Sequence, residues 1–175
     1  AAIRRELRVR TVFNLLGPMT NPAGACGQVM GVFKKEFAEP IARVLANLGA
    51  RHAFVVAGSD GLDELTLSGP SYIAEACAGN VMTYDLDPRD LGFARAPREA
   101  LAGGDAVRNA EILRRVLEGE GGPCREVVVL NAAAGIVAGN GAPDWQAAIE
   151  AARASIDSGA AKAKLEGLVR VSHDS

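Results

Sequence analysis

Apolar and polar positions follow two different periods along the first half of the chain, and together they predict strands separated by a helix. Residues 28–33 and 52–57 are short apolar runs of the kind that form buried strands. Between them, residues 36–48 repeat apolar side chains at helical spacing, and Gly49 follows at the position of a C-terminal cap. We therefore expect a βαβ unit with parallel strands and a right-handed connection.

Two further apolar runs, residues 71–77 and 80–86, are separated only by Ala78 and Gly79. A two-residue connection of this kind is typical of an antiparallel hairpin, which we place at the edge of the sheet. The predicted fold class is therefore α/β, with a mixed, mainly parallel sheet flanked by helices.

The second half of the chain has a helical pattern, with helices predicted over about residues 105–118, 126–138, 145–157 and 160–169. The second of these segments is ambiguous, because it opens on a Val-rich run that suits a strand, but its length and its Ala-rich continuation favour a buried helix. Asp105 is expected to cap the first helix, and Trp145 is interpreted as a packing anchor.

The first 27 residues are predicted to form a short opening helix over about residues 1–8, followed by a Gly-Pro loop. Gly17 and Pro18 stand among apolar residues, with Asn14 and Asn21 on either side. Glycine and proline fix unusual backbone angles and permit close approach of a ligand, so this segment is interpreted as a binding loop.

Asp63 and Glu64 follow the predicted strand at residues 52–57. In open α/β sheets, ligands bind beyond the carboxyl ends of the strands, and paired carboxylates there are candidate ligands for Mg²⁺, a hard ion that prefers oxygen. The alternative is that Asp60 or Asp63 caps a turn or a helix start. Spacing alone favours this structural alternative.

Composition excludes several classes of protein. The 175 residues are 49% hydrophobic and 23% charged, which is ordinary for one folded α/β domain and unlike a disordered chain. A net charge of -2 shows no excess of basic residues of the kind that nucleic-acid-binding proteins carry. No apolar run approaches the roughly 18 residues of a membrane span, and we expect a cytoplasmic protein. The unpaired spacing of Cys26, Cys77 and Cys124 predicts reduced, buried cysteines rather than disulfides.

Several motifs, in this order along the chain, resemble those of the anthranilate phosphoribosyltransferase family. They are Gly-Pro-Met-Thr-Asn-Pro at residues 17–22, Gly-Leu-Asp-Glu at 61–64, Gly-Gly-Asp-Ala at 103–106, Leu-Asn-Ala-Ala-Ala at 130–134 and Ile-Asp-Ser-Gly at 156–159. The resemblance covers essentially the whole chain. It departs at Arg8, where the family usually has glycine.

The resemblance implies transfer of phosphoribosyl from phosphoribosyl pyrophosphate to anthranilate, a step of tryptophan biosynthesis, in a homodimer. It implies that Asp63 and Glu64 hold Mg²⁺ on the pyrophosphate, that Arg4 contacts anthranilate, and that Gly17 and Pro18 line its pocket. It assigns no residue of this chain to acid–base catalysis. Without the resemblance, Arg4 is better explained as part of the solvated face of an early helix.

The resemblance also implies parts upstream of Ala1, namely a helical domain, a Gly-Thr-Gly-Gly-Asp phosphate loop and a Lys-His-Gly-Asn segment. The chain opens without Met inside a helical pattern. We therefore expect a single α/β domain over residues 1–175, belonging to a longer protein and inactive by itself.

Two other functions stay open from the sequence. A pyrimidine nucleoside phosphorylase is similar in fold, although the motifs at residues 17–22 and 61–64 match the anthranilate family better. A non-catalytic relative that binds nucleic acid or a partner protein would be marked by a basic groove and a missing acid pair. Here the acid pair is present and the excess of basic residues is not.

Overall fold

The computed structural model describes residues 13–20, 22 and 24–173. Within these residues, four strands form one sheet in the order in which they occur along the chain. The strands are β1 (Gly27–Gly31), β2 (His52–Gly58), β3 (Ser71–Cys77) and β4 (Asn80–Leu86). The pair β1 and β2 is parallel, and the other two pairs are antiparallel. The mixed sheet is confirmed, with its parallel part confined to β1 and β2.

The described helices flank this sheet. They are α1 (Phe13–Met19), α2 (Ala38–Asn47), α3 (Ala106–Leu117), α4 (Pro123–Ala138), α5 (Trp145–Asp157) and α6 (Ala160–His173), with short 3-10 segments at Lys35–Phe37, Pro88–Leu91 and Arg98–Leu101. None of the helices in the described part of the chain is long and apolar enough to cross a membrane. The hairpin strands and α5 have the predicted bounds.

Side chains alternate between the two faces of the sheet along each strand, and helices cover both faces. Along β2, Ala53 and Val55 pack on one face against α2, while Phe54 and Val56 join the core formed with α4 and α5 on the other face. The ring of Trp145 lies 5.4 Å from that of Phe54, centroid to centroid, so its interpretation as a packing anchor is confirmed.

The ambiguous segment at residues 126–138 lies within helix α4, as predicted. Its buried positions form two adjacent pairs, Val129–Leu130 and Ala133–Ala134, that are one helical turn apart, which places them on one side of a helix. Asp105 caps α3 as predicted, since its carboxylate accepts a hydrogen bond from the Arg108 backbone N–H at 2.8 Å.

The first strand carries glycine where other backbone segments lie directly against it. A Cβ on Gly27 would come within 2.1 Å of the Ala138 carbonyl oxygen at the end of α4. A Cβ on Gly31 would come within 1.5 Å of the Asp63 carbonyl oxygen. Only glycine permits both approaches, and the second fixes the segment after β2 over the carboxyl end of β1.

Two predictions need correction. The predicted Gly-Pro loop is helical from Phe13 to Met19, with Pro18 inside helix α1. Pro18 lacks the N–H that would donate to the carbonyl four residues earlier, and the helix ends one residue after it. The cysteines are free as predicted, but the prediction that all are buried is wrong: Cys26 and Cys77 are exposed.

Candidate active site

The predicted acid pair lies in the connection between β2 and β3, residues 59–70, which we call the acid loop. Since β1 and β2 are parallel, their carboxyl ends meet at one edge of the sheet, and the acid loop begins at that edge. Its first part turns back on the strand, because the Gly58 N–H donates to the Leu62 carbonyl at 2.8 Å. The loop thus returns over the sheet edge instead of leaving it.

Asp60 organises the start of the acid loop. Its carboxylate accepts hydrogen bonds from the Thr66 hydroxyl at 2.7 Å, the Ser68 hydroxyl at 2.9 Å and the Leu62 N–H at 3.2 Å. Partial burial raises the pKa of Asp60, but these hydrogen bonds to the ionised form outweigh it, so the pKa is lowered. Asp60 therefore has the turn-stabilising role that the sequence offered as an alternative for Asp60 or Asp63.

The second half of the acid loop is anchored in the core. Leu65, Thr66 and Leu67 are fully buried. The Thr66 N–H donates to the Ser71 hydroxyl at 3.0 Å, and the side-chain amide of Asn131 on α4 bonds both the N–H and the carbonyl of Leu65 at 3.0 and 2.9 Å. The loop is thus held to β3 and to a helix distant in sequence.

Asp63 and Glu64, in contrast, are exposed to solvent. Within the described residues, neither carboxylate has a hydrogen bond or an ion pair with another side chain. Although Glu64 is exposed, it has lost part of its hydration, which raises its pKa above the usual value, and the charges of Asp63 and Asp60 add to this effect. Two adjacent carboxylates, near enough that the charge of Asp63 raises the pKa of Glu64 and without a cationic partner among the described residues, form a site that a cation would stabilise.

The pair by itself is a small donor set. Among the described residues, no group of three or more His, Cys, Asp and Glu side chains is placed to hold a metal ion. Mg²⁺ commonly binds one or two protein carboxylates and completes its octahedron with water and substrate phosphates. Asp63 and Glu64 therefore fit a magnesium ion shared with a phosphate ligand, and do not form an all-protein cage.

The structure does not bring the other predicted contacts to the acid pair. Gly17 and Pro18 are exposed on α1, and the Pro18 carbonyl accepts a bond from the Gln28 side chain at 3.4 Å. Gln28 lies near the amino end of β1, whereas the Asp63 backbone lies against Gly31 at the carboxyl end. Arg4 lies outside the described residues.

Sequence reasoning assigned no role to several residues that build the site. Thr66, Ser68 and Ser71 hold the acid loop, but they stand beside Gly69 and Pro70 in a stretch whose composition is typical of any turn. Asn131 is different, because an amide inside the apolar helix α4 must find partners when it is partly buried. That mismatch was a signal for Asn131, although it could not identify Leu65 as the partner.

A family model described as the glycosyl transferase family, a/b domain, matches residues 1–162. The chain belongs to this family. Among its relatives, the anthranilate phosphoribosyltransferase of Rhodopseudomonas palustris strain HaA2 is 52% identical over 169 residues, which cover 97% of this chain and 50% of that protein. The chain therefore spans about half the length of the curated relatives it matches.

Solved structures of glycosyl transferase family members have the same fold. The crystal structure of anthranilate phosphoribosyltransferase from Thermus thermophilus is 45% identical, with a TM-score of 0.87 over 97% of this chain and 50% of that one. The Saccharomyces cerevisiae enzyme in complex with PRPP (phosphoribosyl pyrophosphate) and Mg is 30% identical, with a TM-score of 0.82 over 94% of this chain and 48% of that one. A complex of the same enzyme contains 4-fluoroanthranilate.

Proposed function

We propose that the protein containing this chain transfers phosphoribosyl from phosphoribosyl pyrophosphate to anthranilate, giving N-(5-phosphoribosyl)anthranilate and pyrophosphate in tryptophan biosynthesis. The observation that carries the proposal is the acid pair Asp63–Glu64, held on an ordered loop at the carboxyl edge of the sheet and exposed to solvent. The relatives described above support the same activity, since they are named for it.

The proposed reaction depends more on stabilising the charge of the leaving pyrophosphate and positioning the two substrates than on proton transfer by the protein. The anthranilate amine attacks C1 of the ribose, the bond from C1 to the pyrophosphate oxygen breaks, pyrophosphate leaves with the bonding electrons, and the nitrogen loses one proton to solvent. We propose that Asp63 and Glu64 hold Mg²⁺, which when bound would offset the charge that develops on the leaving pyrophosphate. Bringing the two substrates together lowers the entropic part of the barrier.

We retain Arg4, Gly17 and Pro18 as the proposed contacts of anthranilate. A guanidinium suits an aromatic carboxylate, because its planar fork donates two hydrogen bonds and stays charged. Gly17 and Pro18 are exposed on α1, and a Cβ on Gly17 would meet nothing within 4 Å among the described residues. Gly17→Ala is therefore expected to leave the fold intact and to act on anthranilate binding alone.

The chain contributes one part of the proposed active site. Its relatives are about twice as long, and the phosphate loop and helical domain expected from the sequence would lie in the other half. We therefore propose that this α/β domain supplies the metal-binding acids and part of the anthranilate pocket. The homodimer and the cytoplasmic location stay predictions.

The alternatives gain no support. The relatives and complexes described above name anthranilate phosphoribosyltransferases, and the yeast complexes contain PRPP and 4-fluoroanthranilate rather than a pyrimidine nucleoside. The net charge of -2 does not favour a nucleic-acid-binding role.

The test uses the product of the complete reading frame that encodes this chain, here called the complete gene product. We expect loss of anthranilate fluorescence only when phosphoribosyl pyrophosphate and Mg²⁺ are both present, with pyrophosphate released in equal amount. Phosphorolysis of a pyrimidine nucleoside by the folded protein, with no consumption of anthranilate, would overturn the proposal.

A further inference from the structure

Asn131 is a polar residue on an otherwise apolar stretch of α4, and the proposed reaction assigns it no role. Its neighbours Val129, Leu130 and Ala133 are fully buried. Its side-chain oxygen accepts from the Leu65 N–H at 3.0 Å, and its side-chain nitrogen donates to the carbonyls of Leu65 at 2.9 Å and Val127 at 3.0 Å. Both ends of the amide are therefore used.

The two bonds to Leu65 replace the pairing that a neighbouring strand would give. Leu65 is fully buried, and its backbone N–H and carbonyl have no backbone partner among the described residues. Buried backbone groups of this kind need a hydrogen bond, and here Asn131, which is 66 positions away along the chain, provides both. The contact therefore fixes the backbone of Leu65 in position and in orientation.

Leu65 directly follows Glu64, and its N–H belongs to the peptide plane that the two residues share. On the other side of the acid pair, Leu62 is fixed as well, because its N–H donates to Asp60 at 3.2 Å and its carbonyl accepts from Gly58 at 2.8 Å. The two acids are thus the two residues between fixed points. Their backbone is held while their carboxylates stay exposed.

We propose that Asn131 is a positioning residue for the acid pair: by clamping Leu65 it holds Glu64 in the orientation in which the pair binds Mg²⁺. This inference rests on the proposed function. A pair of exposed carboxylates without the clamp would have to be ordered when the ion binds, and the cost of that ordering would weaken binding. Removal of outer hydrogen-bonding partners typically weakens metal binding about 10- to 100-fold.

The test compares Asn131→Ala with Val127→Ala in the complete gene product. Val127 lies one turn earlier on α4 and packs against the same core, so its truncation loosens the helix but leaves the amide clamp in place. Binding of phosphoribosyl pyrophosphate is measured by calorimetry at several Mg²⁺ concentrations, without anthranilate, so that no turnover occurs. The Mg²⁺ concentration for half-maximal turnover and the KM for anthranilate are measured separately.

We expect Asn131→Ala to raise the Mg²⁺ requirement about tenfold in both measurements, with the KM for anthranilate changed less than about twofold. Val127→Ala should lower the Tm while leaving the Mg²⁺ requirement unchanged. An unchanged Mg²⁺ requirement in Asn131→Ala, or an equal change in both variants, would overturn the proposal. If Asn131→Ala does not fold, Asn131→Ser is judged by the same criterion, and failure of both to fold would also overturn it.

Failure of the proposed function is recognised separately. If the wild-type protein does not consume anthranilate, the function is wrong. If it does, but Asp63→Asn combined with Glu64→Gln leaves the Mg²⁺ requirement unchanged, the metal assignment is wrong. The positioning role of Asn131 is wrong by itself when the wild type is active and the acid pair is needed, but Asn131→Ala meets one of the contradicting criteria given above.

Discussion

The acid loop and the turn at Ala78 and Gly79 join neighbouring strands of one sheet in different ways. The turn uses two residues with positive φ angles, 48° and 81°, and the backbone holds it, with the Ala78 N–H donating to the Arg51 carbonyl at 3.1 Å. The acid loop needs twelve positions, 59–70, and is held by side chains that include Asp60 and Asn131. Joining two strands does not require such a network, so the comparison supports the proposal that the acid loop is adapted to binding.

The largest loss of stability is expected from Gly31→Ala, which adds a methyl group where the acid loop lies against β1. Gly31→Ala would place a Cβ where the Asp63 carbonyl oxygen lies, only 1.5 Å away, so the loop must shift. We expect a loss of about 3 kcal/mol of stability, at the upper end for overpacked sites, together with a raised Mg²⁺ requirement. Thermal unfolding of the complete gene product measures the first effect.

Gly121→Ala is the control, because Gly121 has open space around it and should change the Tm very little. Equal Tm values for the two variants would show that the acid loop is not held against β1.

Removing the carboxylate of Asp60 should have the next largest effect. Asp60→Ala leaves the hydroxyls of Thr66 and Ser68 and the N–H of Leu62 without their acceptor, and unpaired buried groups cost about 1–3 kcal/mol. Asp90→Ala removes an exposed aspartate elsewhere and serves as the control. A Tm loss no greater than that of the control would contradict the organising role of Asp60.

A substitution in the turn at Ala78 and Gly79 should raise the stability of the protein instead of lowering it. Ala78 has φ 48°, a left-handed conformation that alanine adopts at a cost and asparagine adopts more readily. Ala78→Asn is therefore expected to stabilise the protein by about 0.5 kcal/mol, with no change in Mg²⁺ requirement. Thermal unfolding provides the measurement, and a lower Tm would mean that the turn is not limited by this backbone strain.

The smallest expected effect is the pH dependence of the stability that Asp60 contributes. The lowered pKa of Asp60 stabilises the folded state above the ordinary aspartate pKa of about 3.9, and this contribution is lost as the pH falls through the lowered value. The Tm difference between wild type and Asp60→Asn should therefore narrow between about pH 5 and about pH 3. A difference that stays constant or widens on acidification would contradict this account.

The same two regions show how far sequence reasoning reaches. The hairpin was predicted with its observed strand bounds, because the two apolar runs and the short Ala-Gly connection are local signals. The position of Asp63 and Glu64 beyond β2 was also predictable, since β2 was a clear apolar run. The hydrogen bonds from the Asn131 side chain to the Leu65 backbone were not predictable, because they join residues 66 positions apart.

Helix α1 shows a different limit. Glycine and proline at positions 17 and 18 predicted a loop, yet Phe13–Met19 is helical. Proline removes one donor and crowds the turn that precedes it, so it limits how far a helix continues, and this helix ends one residue after Pro18. The dense run of turn-forming residues therefore predicted a loop after about residue 8, whereas helix α1 extends as far as Met19.

The most direct test of the central claim is the Mg²⁺ dependence of anthranilate consumption by the complete gene product and by its Asp63→Asn, Glu64→Gln double variant. The substitutions keep the shapes of both exposed side chains, so the Tm should stay close to that of the wild type while turnover at ordinary Mg²⁺ disappears. A folded double variant that turns over anthranilate at the wild-type rate and with the wild-type Mg²⁺ requirement would contradict the account.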